Sequence, residues 1–262
     1  MNALQIAITE KAYPGRPAGG KVVALAGLSF TVPEGEFTCI VGPSGCGKTT
    51  LLNIISGLDA DVEGEVRVAG AAPADGPPTG YMFQAPRLMP WLTVRDNVRL
   101  VLGDDTVDDG RTETLLREMG LGDVMDAFPH RLSGGMQRRV ALARAIVTGP
   151  RLLLLDEPFL SLDTPVANRL RRLLLDLCAH HPTTVLFVTH DLREALYLAD
   201  RVLFMSPGPG RIVLDLPVDL PRPREPEGAD IEKLRLDLLN RHPKLLAGLA
   251  ETAETAGEDA VG

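Results

Sequence analysis

The sequence predicts an α/β fold, a mostly parallel sheet covered by helices. Three observations carry this. Short runs rich in Val, Ile and Leu recur between stretches of helical periodicity. One such run leads straight into a glycine-rich loop and then a helical pattern. Another ends in two adjacent carboxylates. Sheets of this kind place their ligands at the carboxyl ends of the strands.

In chain order, Val22 to Val32 reads as an edge or antiparallel strand, and Thr38-Cys39-Ile40-Val41 as a buried one. A helical pattern near 48–57 follows, then a second edge or antiparallel strand, Glu65 to Val68. Further helical patterns lie near 111–119 and 135–147. Arg151 to Leu155 and Thr184 to Val188 read as buried strands, with helices near 165–180 and 191–198. The compact domain is expected over about residues 3–217. Beyond it come a Pro-rich linker, Leu220 to Pro226, and an amphipathic stretch with Ile231, Leu234, Leu238 and Leu239 at helical spacing. The end of the chain, from Glu251, is acidic and rich in Ala and Gly.

A chain of 262 residues suits one large α/β domain, or one with a small appendage. The net charge of −8 argues against nucleic-acid binding, which needs a basic face to neutralise phosphates. Half of that charge lies after residue 217, where ten acidic residues face six basic ones. The domain itself is thus only mildly acidic. No apolar run approaches 18 residues, so no transmembrane helix is encoded. The first residues lack the pattern of a signal peptide. Three scattered cysteines make no disulfide framework, so a reducing cytoplasm is the simplest expectation.

The loop after the strand 38–41 is Gly42-Pro43-Ser44-Gly45-Cys46-Gly47-Lys48-Thr49-Thr50, which fits G-x-x-x-x-G-K-[ST]. Glycines let the backbone fold tightly enough to point several N–H groups at one anion. The following helix aims its positive N-terminal dipole at the same phosphates. Lys48 is placed for the β- and γ-phosphates, and the Thr49 hydroxyl for Mg²⁺. The apolar run Leu152 to Leu155 carries little information alone; Asp156 and Glu157 at its end carry more. Asp156 is placed to hold Mg²⁺ through its water shell, and Glu157 to polarise an attacking water. Leu132-Ser133-Gly134-Gly135-Met136-Gln137 enters a strong helical pattern. Ser133 reads either as an ordinary helix cap or as part of a second anion cradle. Gln84 ends an apolar stretch, Tyr81-Met82-Phe83, and His190 follows the strand Thr184 to Val188; alone either would read as structural.

Together these motifs are specific. Gly42–Thr49, Gln84, Leu132–Gln137, Leu152–Glu157, Ser161-Leu162-Asp163 and His190 stand in the order found in ATP-binding cassette (ABC) ATPases. Over residues 3–217 the sequence resembles an ABC transporter ATP-binding subunit. The resemblance implies a phosphate-loop NTPase core with a mostly parallel sheet, an antiparallel β subdomain and a helical signature subdomain at about 86–150. It implies that Tyr13 stacks on adenine, although its flanking Pro14-Gly15-Arg16-Pro17 blurs the register and an ordinary surface tyrosine is the alternative. It implies that Gly42 to Thr50 contact phosphates and Mg²⁺, that Gln84 touches Mg²⁺ and water, and that Glu157 is the general base. His190 would contact the γ-phosphate, and Asp163 would meet the opposing subunit. Ser133, Gly134 and Gly135 would bind the ATP held by a second copy, in a head-to-tail dimer. Ser161 stands where Ala is more usual.

The resemblance also implies partners: a separate integral membrane permease and, through it, a substrate-binding protein. The chain would then sit on the inner face of the cell membrane. The stretch Pro90-Trp91-Leu92-Thr93-Val94-Arg95-Asp96-Asn97-Val98 resembles the nitrate/sulfonate/taurine importer group, as does Pro221-Arg222-Pro223-Arg224. Trp91 reads either as a core anchor or as a groove wall that receives a permease helix. The alternatives are a soluble, non-transport ABC ATPase of the iron–sulfur assembly type, or the ATPase of an exporter.

Overall fold

The computed structural model describes residues 2–15, 20–103, 110–160, 162–180 and 183–250. The elements, in order, are β1 (Asn2–Pro14), β2 (Lys21–Pro33), β3 (Phe37–Val41), α1 (Lys48–Ile55), β4 (Glu63–Val68), β5 (Thr79–Met82), α2 (Val94–Arg99), α3 (Arg111–Glu118) and α4 (Gly134–Ile146). They continue with β6 (Leu152–Asp156), α5 (Thr164–His180), β7 (Thr184–Thr189), α6 (Leu192–Leu198), β8 (Arg201–Met205), β9 (Ile212–Pro217) and α7 (Ala229–Arg241). Ser161 and the acidic end from Glu251 lie outside the described residues.

Two sheets form. The larger runs β5-β6-β7-β3-β8-β9. Its first five strands are parallel, and β9 closes the edge antiparallel to β8. The smaller, β2-β1-β4, is antiparallel throughout. The strands expected to be of edge or antiparallel type are thus its two borders, β2 and β4.

Every residue of β3, β6 and β7 is buried, as expected for strands covered on both faces. The two faces still alternate. Leu153, Leu155 and Phe187 join a core with α4, α6 and α7. Leu152, Leu154, Leu186 and Val188 join a second core with α1 and the antiparallel sheet. The sheet is therefore the wall between two hydrophobic layers, which fixes its register.

The sequence reading missed five elements. In β1 the inward Leu4, Ile6 and Ile8 alternate with outward Gln5, Ala7 and Thr9, but small alanines blur the contrast. β5, with four residues, and α2, with six, are too short for periodicity to register. β8 and β9 follow α6 as a hairpin whose outer strand is only half-buried. The helix expected in the tail forms as α7. Its Ile231 and Leu238, with Val218 and Leu245, enter the larger core, so residues 218–250 pack against the cassette.

Candidate functional site

Strand order assembles the site. β5, β6, β7 and β3 are neighbours, and their carboxyl ends lead into Gln84, Asp156–Glu157, His190 and the phosphate loop. Residues far apart in sequence therefore meet along one edge of the sheet, as open parallel sheets dictate.

The loop Gly42–Gly47 turns tightly before α1. Gly45 has φ +79° and Gly47 φ +98°, both in the left-handed region that glycine enters freely. Gly47 also has no room for a side chain: a Cβ would lie 2.6 Å from Leu25 Cδ2 and 3.0 Å from the Ala24 carbonyl oxygen. Gly42 is similarly confined by Cys46 Sγ and Met205. Ser44 and Gly45 are exposed at the tip. The Lys48 ammonium folds back onto the loop, donating to the carbonyls of Gly42 at 2.7 Å and Pro43 at 3.0 Å. Cys46 is fully buried, and burial pushes its thiol up, away from reactive thiolate.

Thr49 Oγ1 donates to Asp156 Oδ2 at 2.9 Å, joining α1 to the end of β6. Asp156 is buried, and burial holds its carboxyl above the ordinary range; the Thr49 bond and Lys48 act in the opposite direction. A buried carboxylate beside one hydroxyl is a hard oxygen donor set of the kind Mg²⁺ takes when phosphates supply further ligands. The residues present therefore fit that ion.

Glu157 follows with φ +45°, a strained setting for a side-chain-bearing residue. Its N–H donates to the Val188 carbonyl at 3.0 Å, which pins the turn to β7. Its Oε2 lies 3.4 Å from His190 Nδ1 and 3.5 Å from Gln84 Nε2. The three side chains thus form one cluster, with His190 reaching into solvent.

Arg138, on α4, is a residue the sequence reading passed over. Its Nη1 faces three carbonyls: Gln84 at 3.1 Å, Glu157 at 3.4 Å and Pro158 at 3.4 Å. Arg144, further along α4, donates to the Pro86 and Arg87 carbonyls at 2.8 and 3.0 Å. One helix therefore holds the backbone around both Gln84 and Glu157. No side-chain partner betrays such arginines in sequence, because their targets are main-chain carbonyls.

Ser133 caps α4, accepting from the Met136 N–H at 3.3 Å. Ser133 and Gly134 are exposed, and a Cβ on Gly134 would meet open space. Gly135 packs near Leu162 and Val166. Among the described residues, no hydrogen bond joins this helix entry to the phosphate loop of the same chain. Asp163 caps α5 by accepting from the Val166 N–H at 3.0 Å. Tyr13 is 36 % exposed. Its hydroxyl lies 3.0 Å from Asp59 Oδ2 and 3.4 Å from Thr50 Oγ1, and Lys11 Nζ covers one ring face at 4.7 Å. Thr50 is thus drawn toward Tyr13 rather than toward Asp156. Trp91 is 70 % exposed, which excludes the core-anchor alternative.

A strand leading through a glycine-rich loop into a helix, and a second strand of the same sheet ending in paired carboxylates, define a nucleotide-hydrolysing cassette. A family model described as ABC transporter matches residues 25–160, and the chain belongs to that family. It is 45% identical over 251 residues to the aliphatic sulfonates import ATP-binding protein SsuB 2 of Burkholderia lata, covering 95% of this chain and 89% of that relative. It is 43% identical over 237 residues to SsuB 1 of Pseudomonas syringae pv. syringae, covering 90% of this chain and 94% of that relative. Among solved structures it is similar to a dimeric ATP-binding cassette in a post-hydrolysis state bound to ADP and Pi. That match has a TM-score of 0.74 and 29% identity, covering 83% of this chain and 99% of the other. The chain is an ATPase subunit, and among the described residues no helix is long and apolar enough to cross a membrane.

Proposed function

We propose that this chain hydrolyses ATP to drive import of aliphatic sulfonates through a separate membrane permease, as the names of its relatives indicate for them. The observation that carries the chemistry is the convergence of Gln84, Glu157 and His190 beside the phosphate loop. The soluble-scaffold and exporter readings have no comparable support.

In this reading Lys48 leaves the Gly42 and Pro43 carbonyls and takes the β- and γ-phosphates, while α1 directs its N-terminus at them. Thr49 and Asp156, with Gln84 nearby, would hold Mg²⁺, which neutralises charge on the phosphates when bound. Glu157 accepts a proton from the attacking water, and His190 contacts the γ-phosphate. Ser133 and Gly134 are exposed, and Gly135 is half-buried beside them. They serve the nucleotide of a second copy, with Asp163 crossing the same interface. Tyr13 would offer its uncovered ring face to adenine. The helical part at about 86–150 and the cassette at 3–217 act as units, with residues 218–262 as an appendage.

The permease would dock near the exposed Trp91, Leu100 and Val101, beside a groove of about 430 Å³ lined by Phe83, Arg87 and Arg144. The chain would then sit on the inner face of the cell membrane. A substrate-binding protein would select the cargo and act only through the permease.

The test of the chemistry is Glu157→Gln. ATP binding persists, turnover falls by roughly 10²-fold or more, and an ATP-bound dimer accumulates on size-exclusion chromatography. Unchanged turnover would remove Glu157 from its role. The test of the cargo is ATPase activity of the reconstituted transporter with its binding protein. Alkanesulfonates should stimulate it, and stimulation by nitrate alone would refute the assignment.

A further inference from the structure

Behind the Glu157–His190 pair lies a cavity of about 370 Å³, walled by α5, α6 and the turn between β7 and α6. Its wall holds a charge pair, buried Glu194 with half-buried Arg171, that nothing in the nucleotide site requires. Arg171, on α5, donates to Glu194 Oε1 from Nε at 2.9 Å and from Nη2 at 2.7 Å. The other carboxylate oxygen, Oε2, accepts from the Thr189 hydroxyl at 2.6 Å. Thr189 Oγ1 in turn accepts from the Asp191 N–H at 3.0 Å. The chain of bonds therefore runs from α5 through Glu194 and Thr189 to the peptide that follows His190.

An ion pair with one buried partner is no efficient source of stability, because desolvation offsets much of its attraction. It does fix geometry well, since both carboxylate oxygens are spoken for. Each partner is also tied to a loop at the nucleotide site. Arg171 stacks 5.8 Å from the Phe159 ring, two residues past Glu157, and lies on the helix that Asp163 caps. Asp191 caps α6 through the N–H groups of Arg193 and Glu194, so residues 189–194 form one bonded turn around His190.

We propose that Thr189 and Glu194 are positioning residues for His190: Arg171 holds the Glu194 carboxylate, that carboxylate orients the Thr189 hydroxyl, and the hydroxyl fixes the peptide that aims the imidazole. The network also couples His190 to the Asp163 loop through α5. This rests on the reading of His190 as a γ-phosphate contact.

The test is a double-mutant cycle on ATP turnover with Thr189→Val, which removes the hydroxyl but keeps the shape, and His190→Ala. Thr189→Val alone should lower kcat by about tenfold or more, toward the roughly 10²-fold cost of an ångström-scale misplacement, with nucleotide Kd unchanged. Thr189→Ser should recover most of that loss. In the His190→Ala background, Thr189→Val should cost nothing further. Equal losses in both backgrounds, or no loss in either, would overturn the proposal. Full activity of His190→Ala alone would instead overturn the reading beneath it. Should His190→Ala leave no measurable rate, spectra of ¹³C-histidine-labelled protein decide. Thr189→Val must then shift the His190 ring signals while those of His130 and His242 stay, and an unmoved His190 refutes the proposal.

Discussion

Thr49 Oγ1 donates a 2.9 Å hydrogen bond to Asp156 Oδ2, linking the phosphate loop's helix to the second carboxylate-bearing strand. The bond satisfies one lone pair of a carboxylate that is buried and held above its ordinary range by that burial.

Asp156→Asn keeps an acceptor for Thr49 but removes the charge. For a carboxyl whose folded value is raised, the folded state binds the proton longer than the unfolded chain does. Its ionised form therefore costs stability at neutral pH, and that cost disappears as pH falls from the raised value to below the ordinary one. The variant should thus unfold at higher denaturant than wild type at pH 7, with the difference narrowing on acidification. ATP turnover should fall by roughly 10²-fold or more. A variant less stable than wild type at pH 7 would contradict the account.

Gly47→Ala should be far more harmful than Gly45→Ala. Both positions are left-handed, a setting that costs a non-glycine residue about 1–2 kcal/mol. Only Gly47 also meets Leu25 and the Ala24 carbonyl, whereas a Cβ on Gly45 enters open space. Overpacking adds about 1–3 kcal/mol at Gly47. Urea unfolding of the two variants measures the gap directly, and equal midpoints would refute the steric argument.

The candidate site was largely legible as a set of residues because they sit in contiguous motifs. Glu157 and the phosphate loop each announce themselves within a few residues, and strand order then brings in Gln84 and His190. The supporting arginines were not legible. Arg138, Arg144 and Arg224 bind main-chain carbonyls, which carry no residue identity for a sequence to display. Arg224 donates to the Leu196 and Ala199 carbonyls at the end of α6 and to Val218 and Leu220. The Pro-rich stretch read as a linker is thereby fastened to the helix that follows His190. The amphipathic pattern of α7 announced a helix but not the surface it covers, because a stripe of leucines specifies burial without naming a partner.

The contact between α6 and α7 should weaken in acid. Glu232 accepts from Arg235 on its own helix and from Arg193 on α6 at 2.7 Å. Those bonds, chiefly the Arg235 one, hold its carboxyl down to about 2. A depressed carboxylate contributes fully above the unfolded value near 4.5 and loses that contribution as pH falls to about 2. The pair is exposed, so the effect is small and screened by salt. Hydrogen exchange of α7 amides should quicken between those pH values in wild type and show no such step in Glu232→Gln. An identical step in both would assign it to other groups.

Arg138 offers the sharpest separation of binding from turnover. Its guanidinium spans the Gln84, Glu157 and Pro158 carbonyls, and among the described residues no hydrogen bond joins it to the phosphate loop or to Tyr13. Its side chain is also desolvated there, which lowers its affinity for the proton, while the charge on Glu157 raises it. Arg138→Met keeps the apolar stem but leaves the carbonyls without their shared donor. The backbones bearing Gln84 and Glu157 then lose their common tether to α4, and a misplacement on the ångström scale costs about 10²-fold in a positioned reaction. The expected outcome is a fall in kcat of that order with nucleotide Kd unchanged within twofold. Arg138→Lys should recover only part of it, since a single ammonium must replace a planar donor set in reaching three separated acceptors. Loss of nucleotide affinity in step with kcat would show that Arg138 supports the fold of the whole site rather than the placement of these two residues.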